Sequence, residues 1–96
     1  MHKRRQAHGI AKLGDYVYVC GGLRNYYLED SCERFCISDQ KWYADVPNLN
    51  EYKFSMTMVS VGFWLYAFGG AVAYYDDTLK QLTIERLDTS KLKHHS

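Results

Sequence analysis

The chain matches itself. Two glycine pairs, Gly21-Gly22 and Gly69-Gly70, lie 48 residues apart. The same offset sets Gly14 against Gly62, Tyr18 against Tyr66, Tyr26-Tyr27 against Tyr74-Tyr75, Arg5 against Lys53 and Tyr16 against Trp64. Glu33-Arg34 recurs as Glu85-Arg86, now 52 residues on, which places a four-residue insertion in the second copy between Tyr75 and Ile84. A period of this size limits the fold to architectures that stack one supersecondary unit on the next.

Each copy reads as short strands punctuated by turn residues. In the first, residues 7–13 form a strand that ends at Gly14-Asp15, a turn pair. The run Tyr16-Val17-Tyr18-Val19-Cys20 follows without polar alternation, so both its faces should be buried. Gly21-Gly22 stops it. Residues 33–38 and 41–45 make the third and fourth strands, and Pro47-Asn48 closes the unit. The second copy repeats the order over residues 55–61, 64–68 and 82–87, with a fourth strand due near His94. The 16% aromatic content, with nine tyrosines, suits strands, because such rings fit a pleated, half-buried surface. Four antiparallel strands per unit of about 50 residues is the pattern of a propeller blade. The expected fold is therefore all-β: two consecutive four-stranded antiparallel blades, over residues 1–50 and 51–96, the second lacking its last strand, as a fragment of a β-propeller.

These residues resemble the kelch repeat, and the resemblance covers nearly the whole chain. It rests in the first copy on Arg5, Gly21-Gly22, Tyr27, Glu33-Arg34-Phe35 and Trp42, and in the second on Lys53, Gly69-Gly70, Tyr75 and Glu85-Arg86-Leu87. The second copy departs from the pattern where His94 stands at the place that Trp42 predicts for a tryptophan. The resemblance implies a protein-binding scaffold. It could be the substrate-recognition part of a cullin-type ubiquitin ligase, or a cytoskeletal or signalling adaptor. In such propellers, partners dock on loops after the second strand and before the first. Here those loops carry Arg24, Asn25, Tyr26, Lys53 and Tyr74 as candidate contacts, and Tyr and Arg are the types enriched at interface hot spots. Tyr27 and Tyr75 recur in register and are expected to pack within the blades. A blade also needs covering on both faces, so further blades or self-association are expected.

The physical roles of the motif are structural. A glycine pair after a buried strand lets the backbone take positive φ and lets a neighbouring ring, for which Trp42 is the candidate, approach bare backbone. Adjacent Glu33 and Arg34 point to opposite sides of their strand, so at least one must be buried with a partner.

Other chemistry has little footing. Cys20, Cys32 and Cys36 form an odd set without a secretory leader, which points to free, buried thiols in a reducing compartment. Cys32 and Cys36 sit about 13 Å apart if they share a strand face, too far to chelate one ion. The acidic pairs Glu29-Asp30 and Asp76-Asp77 lack the apolar surroundings that acid–base chemistry needs, and no nucleophile or phosphate-loop motif is present. No cofactor, metal or catalytic residue is expected. The alternative is an oxidase-like propeller enzyme, for which the ligand pattern is missing. A net charge of +1 argues against nucleic acid. The uncharged stretch over residues 54–75 is long enough to span a bilayer, but Gly62 divides it into two β-rich pieces. The expected partner is another protein, and the expected location is cytoplasmic.

Overall fold

The computed structural model describes residue 5 and residues 8–24, 27–50, 56–69 and 83–93. Among these residues nine strands run in chain order: β1 (Gly9–Leu13), β2 (Tyr16–Cys20), β3 (Leu23–Arg24), β4 (Tyr27–Leu28), β5 (Cys32–Cys36), β6 (Lys41–Tyr43), β7 (Thr57–Val61), β8 (Trp64–Gly69) and β9 (Thr83–Asp88). A short 3-10 turn at Thr89–Lys91 follows, capped by Asp88, whose side chain accepts from the Ser90 N–H. The strands form a four-stranded sheet in the order β1-β2-β5-β6, a small β3-β4 hairpin, and a three-stranded sheet in the order β7-β8-β9. All pairings are antiparallel. The expected all-β architecture of two successive blade-like sheets is what the chain adopts.

The turns explain why the strands stop where they do. Gly14 and Gly62, equivalent positions in the two repeats, both hold φ near +60° (62° and 59°) in the β1–β2 and β7–β8 hairpins. That region is open to glycine at no steric cost. Asp15 ties the next turn to this one: its carbonyl accepts from the Ile37 N–H at 2.8 Å. Its carboxylate accepts from the Ser38 N–H at 3.3 Å.

Pairing register divides each sheet into two faces. In the first sheet Ala11, Tyr18 and Arg34 stand opposite one another, as do Leu13, Tyr16 and Cys36. In the second, Met58, Ala67 and Glu85 align, as do Ser60, Leu65 and Leu87. These two faces meet, and between them lies the core: Tyr16, Tyr18, Cys20, Cys32, Cys36, Val46, Met56, Met58, Leu65 and Ala67. The sheets come closest where β1 meets β7. A Cβ added to Gly9 would lie 2.7 Å from Met58 Cγ and 2.9 Å from Met56 Cε. The Ser60 hydroxyl also donates across the junction to the Lys12 carbonyl at 3.0 Å.

As its apolar sequence predicts, β2 is enclosed on both sides, with Tyr18 and Val19 almost fully buried. The adjacent charges Glu33 and Arg34 do face opposite ways, and both are buried, at 2% and 1% exposure. The far face of the second sheet is different. Val59, Val61 and Ile84 are exposed there, and Phe63 is exposed at the nearby turn.

Within the uncharged stretch, residues 57–69 form the β7–β8 hairpin. Among the described residues no helix is long and apolar enough to cross a membrane. The fourth strand expected near His94 and the insertion between Tyr75 and Ile84 lie outside the described residues.

Candidate partner-binding face

At one end of the first sheet, β2 leaves through Gly21 and Gly22, whose φ values are 67° and 91°. A non-glycine residue would be strained at either. The reversed backbone sends the chain into the β3–β4 hairpin, in which Leu23 pairs with Leu28 and Arg24 with Tyr27. The chain then returns through Ser31 into β5. The hairpin was not foreseen from sequence, because strands of two residues carry no readable periodicity.

The base of this loop is braced from several sides. The Gly21 N–H donates to the Ser31 carbonyl and the Glu29 N–H to the Gly22 carbonyl, each at 3.0 Å. Arg5, 7% exposed, donates to the Gly21 carbonyl at 3.1 Å and to the Ser31 carbonyl at 2.8 Å. Its guanidinium also reaches the Ser31 hydroxyl at 3.0 Å and pairs with the Glu33 carboxylate at 3.7 Å. Its charge thus serves two strand ends at once, in a site where an unpaired cation would be costly. The Leu49 N–H donates to the Asp30 carbonyl at 2.7 Å, which brings the segment ahead of the second sheet against this hairpin. The Asn50 N–H in turn donates to a Glu85 carboxylate oxygen at 2.7 Å, which carries the link into β9.

The cysteines depart from expectation. Cys20 and Cys32 stand directly opposite across β2 and β5, and their sulfurs are bonded. They are buried as expected but are not free thiols. The pairing depends on a register that the unforeseen hairpin sets, so spacing alone could not show it. Cys36 stays outside the disulfide, fully buried, with its sulfur 3.3 Å from the Ser38 hydroxyl and 3.6 Å from the Asp15 carboxylate.

Of the candidate contacts, Arg24 lies on β3. Asn25, Tyr26, Lys53 and Tyr74 lie outside the described residues, as do Gly70 and Tyr75. Tyr27, expected to pack within the blade, is 77% exposed instead. It sits on a two-residue strand, and its exposure places its ring with the candidate surface. Trp42, expected against the glycine pair, packs on Phe35 with ring centroids 5.2 Å apart.

The middle of the sheet is held by Arg34, which stands on β5 opposite Tyr18. Its Nε and Nη2 donate to the two oxygens of Asp45 at 2.8 and 2.7 Å, a bidentate pair. Nη1 reaches the Tyr18 hydroxyl at 3.4 Å, Nη2 also donates to the Lys93 carbonyl, and the guanidinium lies 4.1 Å over the Tyr16 ring. Burial works against the Arg34 charge, but the Asp45 bonds outweigh it and hold the pKa above its ordinary value. Burial also pushes the Tyr18 hydroxyl up. Arg86, the repeat partner of Arg34, lies 4.5 Å over Trp64. At the β5–β6 turn, the Tyr43 hydroxyl donates to Asp39. That bond raises the Tyr43 pKa to about 12 and lowers that of Asp39. Among the described residues no three His, Cys, Asp or Glu side chains gather as a metal site.

The Kelch motif profile matches residues 4–44, which span the first sheet with Arg5, the glycine pair, Glu33-Arg34 and Trp42. The chain belongs to the kelch-repeat family. It is 36% identical to human Kelch-like protein 13 over 75 residues, which is 73% of this chain and 11% of that protein. It is 36% identical to mouse Kelch-like protein 9 over 78 residues, covering 76% of this chain and 12% of the relative. With Kelch-like protein 22 of Xenopus tropicalis the identity is 31% over 82 residues, 82% of this chain and 12% of the relative. The chain thus spans about a tenth of the length of these curated relatives. The two sheets are kelch blades: β1, β2, β5 and β6 form one, and β7, β8 and β9 form three strands of the next.

Proposed function

We propose that the chain is part of a non-catalytic scaffold that binds another protein through the loop end of its kelch blades. The observation that carries this reading is Tyr27, 77% exposed on a hairpin whose base is braced by Arg5, the Cys20–Cys32 bond and the Leu49–Asp30 link. An aromatic held on a firm base loses little entropy on docking, which is how interface hot spots gain affinity. Arg24 on the paired strand, with Asn25, Tyr26, Lys53 and Tyr74, completes the proposed contact set. The repeat units are assigned to residues 1–50 and 51–96, and the location to the cytoplasm.

Within this reading, the family resemblance supports a substrate-recognition role in a cullin-type ubiquitin ligase, or an adaptor role in the cytoskeleton or in signalling. Affinity capture with Tyr27→Ala and Arg24→Ala, set against Asp39→Asn at the other end of the sheet, tests the docking face. The loop variants should lose a partner that Asp39→Asn retains. Equal capture by all of them overturns the face. Ubiquitin transfer to the captured partner, present or absent, separates the ligase role from the adaptor roles.

A further inference from the structure

The only covalent cross-link among the described residues sits at the root of the proposed docking loop. Cys20 is the last residue of β2 and Cys32 the first of β5, so the bond joins the two strand ends between which residues 21–31 emerge. That segment carries Gly21 and Gly22, both at positive φ, and the β3–β4 hairpin with Tyr27. The remaining ties at the root are hydrogen bonds and the Arg5 pair. Such ties open and close on their own, whereas a disulfide does not. Cys20 and Cys32 also line a crevice of about 160 Å³ between the sheets, beside Val46, Asn48 and Leu49. The crevice is therefore the approach by which a small thiol would reach the bond. A bonded pair in a chain assigned to the cytoplasm belongs to the transient, redox-responsive kind, because thiol reductants act on it there.

We propose that Cys20 and Cys32 form a dithiol–disulfide lock that sets how ordered the 21–31 loop is. The target of this regulation rests on the docking-face reading, and the lability of the bond on the proposed cytoplasmic location. In the opening reaction, a thiolate of the glutathione class attacks one of the two sulfurs. The Cys20–Cys32 bond breaks, a mixed disulfide forms, and the released cysteine takes a proton. A second glutathione thiolate then attacks the mixed disulfide. This leaves both cysteines as thiols and yields one oxidised glutathione, a transfer of two electrons in all. Oxidised glutathione drives the reverse. Cys36 stands outside the couple. It lies four residues along β5 from Cys32, about 13 Å away on strand spacing, with Asp15 and Ser38 at its sulfur.

The test equilibrates the full chain in glutathione buffers of stepped ratio, traps thiols by alkylation after acid quench, and follows amide hydrogen exchange in parallel. Cys20 and Cys32 should change state together while Cys36 stays a thiol throughout. Exchange in residues 21–31 should rise about tenfold or more on reduction, the scale expected when a short covalent loop is released. Exchange in β7 and β8 should stay as it was. The Cys20→Ala/Cys32→Ala variant should show the fast exchange in both buffers, and Cys36→Ser should respond like the natural chain. Independent alkylation of Cys20 and Cys32, or loop exchange that ignores the buffer, overturns the lock, and both are read on the natural chain without any substitution. A loop that responds to redox while partner capture ignores Tyr27→Ala overturns the docking face alone.

Discussion

Gly9→Ala tests how tightly the two blades stack. Gly9 opens β1, and its missing side chain faces Met58 on β7. The alanine methyl would lie 2.7 Å from Met58 Cγ and 2.9 Å from both Met58 Sδ and Met56 Cε. Carbon contacts are comfortable at about 3.5–4.0 Å, so the overlap approaches 1 Å. Met56 can swing its terminal methyl aside. The Met58 Cγ cannot move without carrying its whole side chain out of the core. Overpacking of this kind costs about 1–3 kcal/mol. Replacing glycine restricts the unfolded chain and returns about 0.4–1 kcal/mol. The net loss should be about 1–2 kcal/mol, or roughly 4–8 °C in Tm per kcal/mol for a domain of this size. Met58→Ala alone should cost about 2–5 kcal/mol through the space it leaves. In that background Gly9→Ala fills space instead of overfilling it, so the pair should be coupled by about 1 kcal/mol or more. Thermal unfolding followed by tryptophan fluorescence at dilute concentration measures all four corners of the cycle. Strict additivity, with Gly9→Ala as stable as the natural chain, would refute the close approach of β1 and β7.

Asp45→Ala should destabilise the chain by about 1–3 kcal/mol, because it strands a buried guanidinium, with the lower part of the range favoured by the 32% exposure of the Asp45 side chain. Arg34→Met, which removes the charge and keeps the bulk, should cost less in denaturant unfolding; the reverse order would count against the pair. The Tyr43 bond to Asp39 should stabilise the fold fully from above the ordinary carboxylate range up to pH 10, the ordinary tyrosine value; it is lost as pH rises from there through about 12, and lost in acid as Asp39 takes up its proton. Ultraviolet titration of tyrosinate should show a late step near 12 that returns toward the ordinary range in Asp39→Asn while the raised Tyr18 step stays in place, and a titration that Asp39→Asn leaves unchanged would refute the bond. The 96-residue chain by itself should associate through Val59, Val61, Phe63 and Ile84, which stand exposed on the far side of the second sheet and its turn. Light scattering after size exclusion should show oligomers, and Val61→Lys should reduce them; a stable monomer at tens of micromolar, roughly the range in which exposed chains aggregate, would contradict this.

The longer strands were legible because their residues repeat a pattern that physics constrains. Tyr16 to Cys20 could only be a buried strand, and Gly14 and Gly62 could only be turns, so β1, β2, β5, β7 and β8 lie within two residues of the sequence reading. The site was less legible. Tyr27 recurs in register with Tyr75, which reads as packing, yet its ring is exposed. Periodicity reports which residues share an environment without saying whether that environment is core or surface. Arg5 was visible as a family mark, but its hold on Gly21 and Ser31 depends on a chain reversal that two-residue strands do not announce. The Cys20–Cys32 pairing was hidden for the same reason: a cross-strand neighbour is a property of register, and register follows from the loop between the strands.

The Arg34 guanidinium divides its donors between its own blade, through Asp45, and the next one, through the Lys93 carbonyl just past β9. In a stacked array, stability is a sum of unit terms and neighbour terms. A side chain that bonds on both sides of a junction contributes to the neighbour term. The first blade therefore loses part of its own anchoring if the second frays, and the second loses a backbone tie if the first opens. Damage at one junction should travel along the array, so that the two repeats melt in one transition where a chain of independent blades would show two.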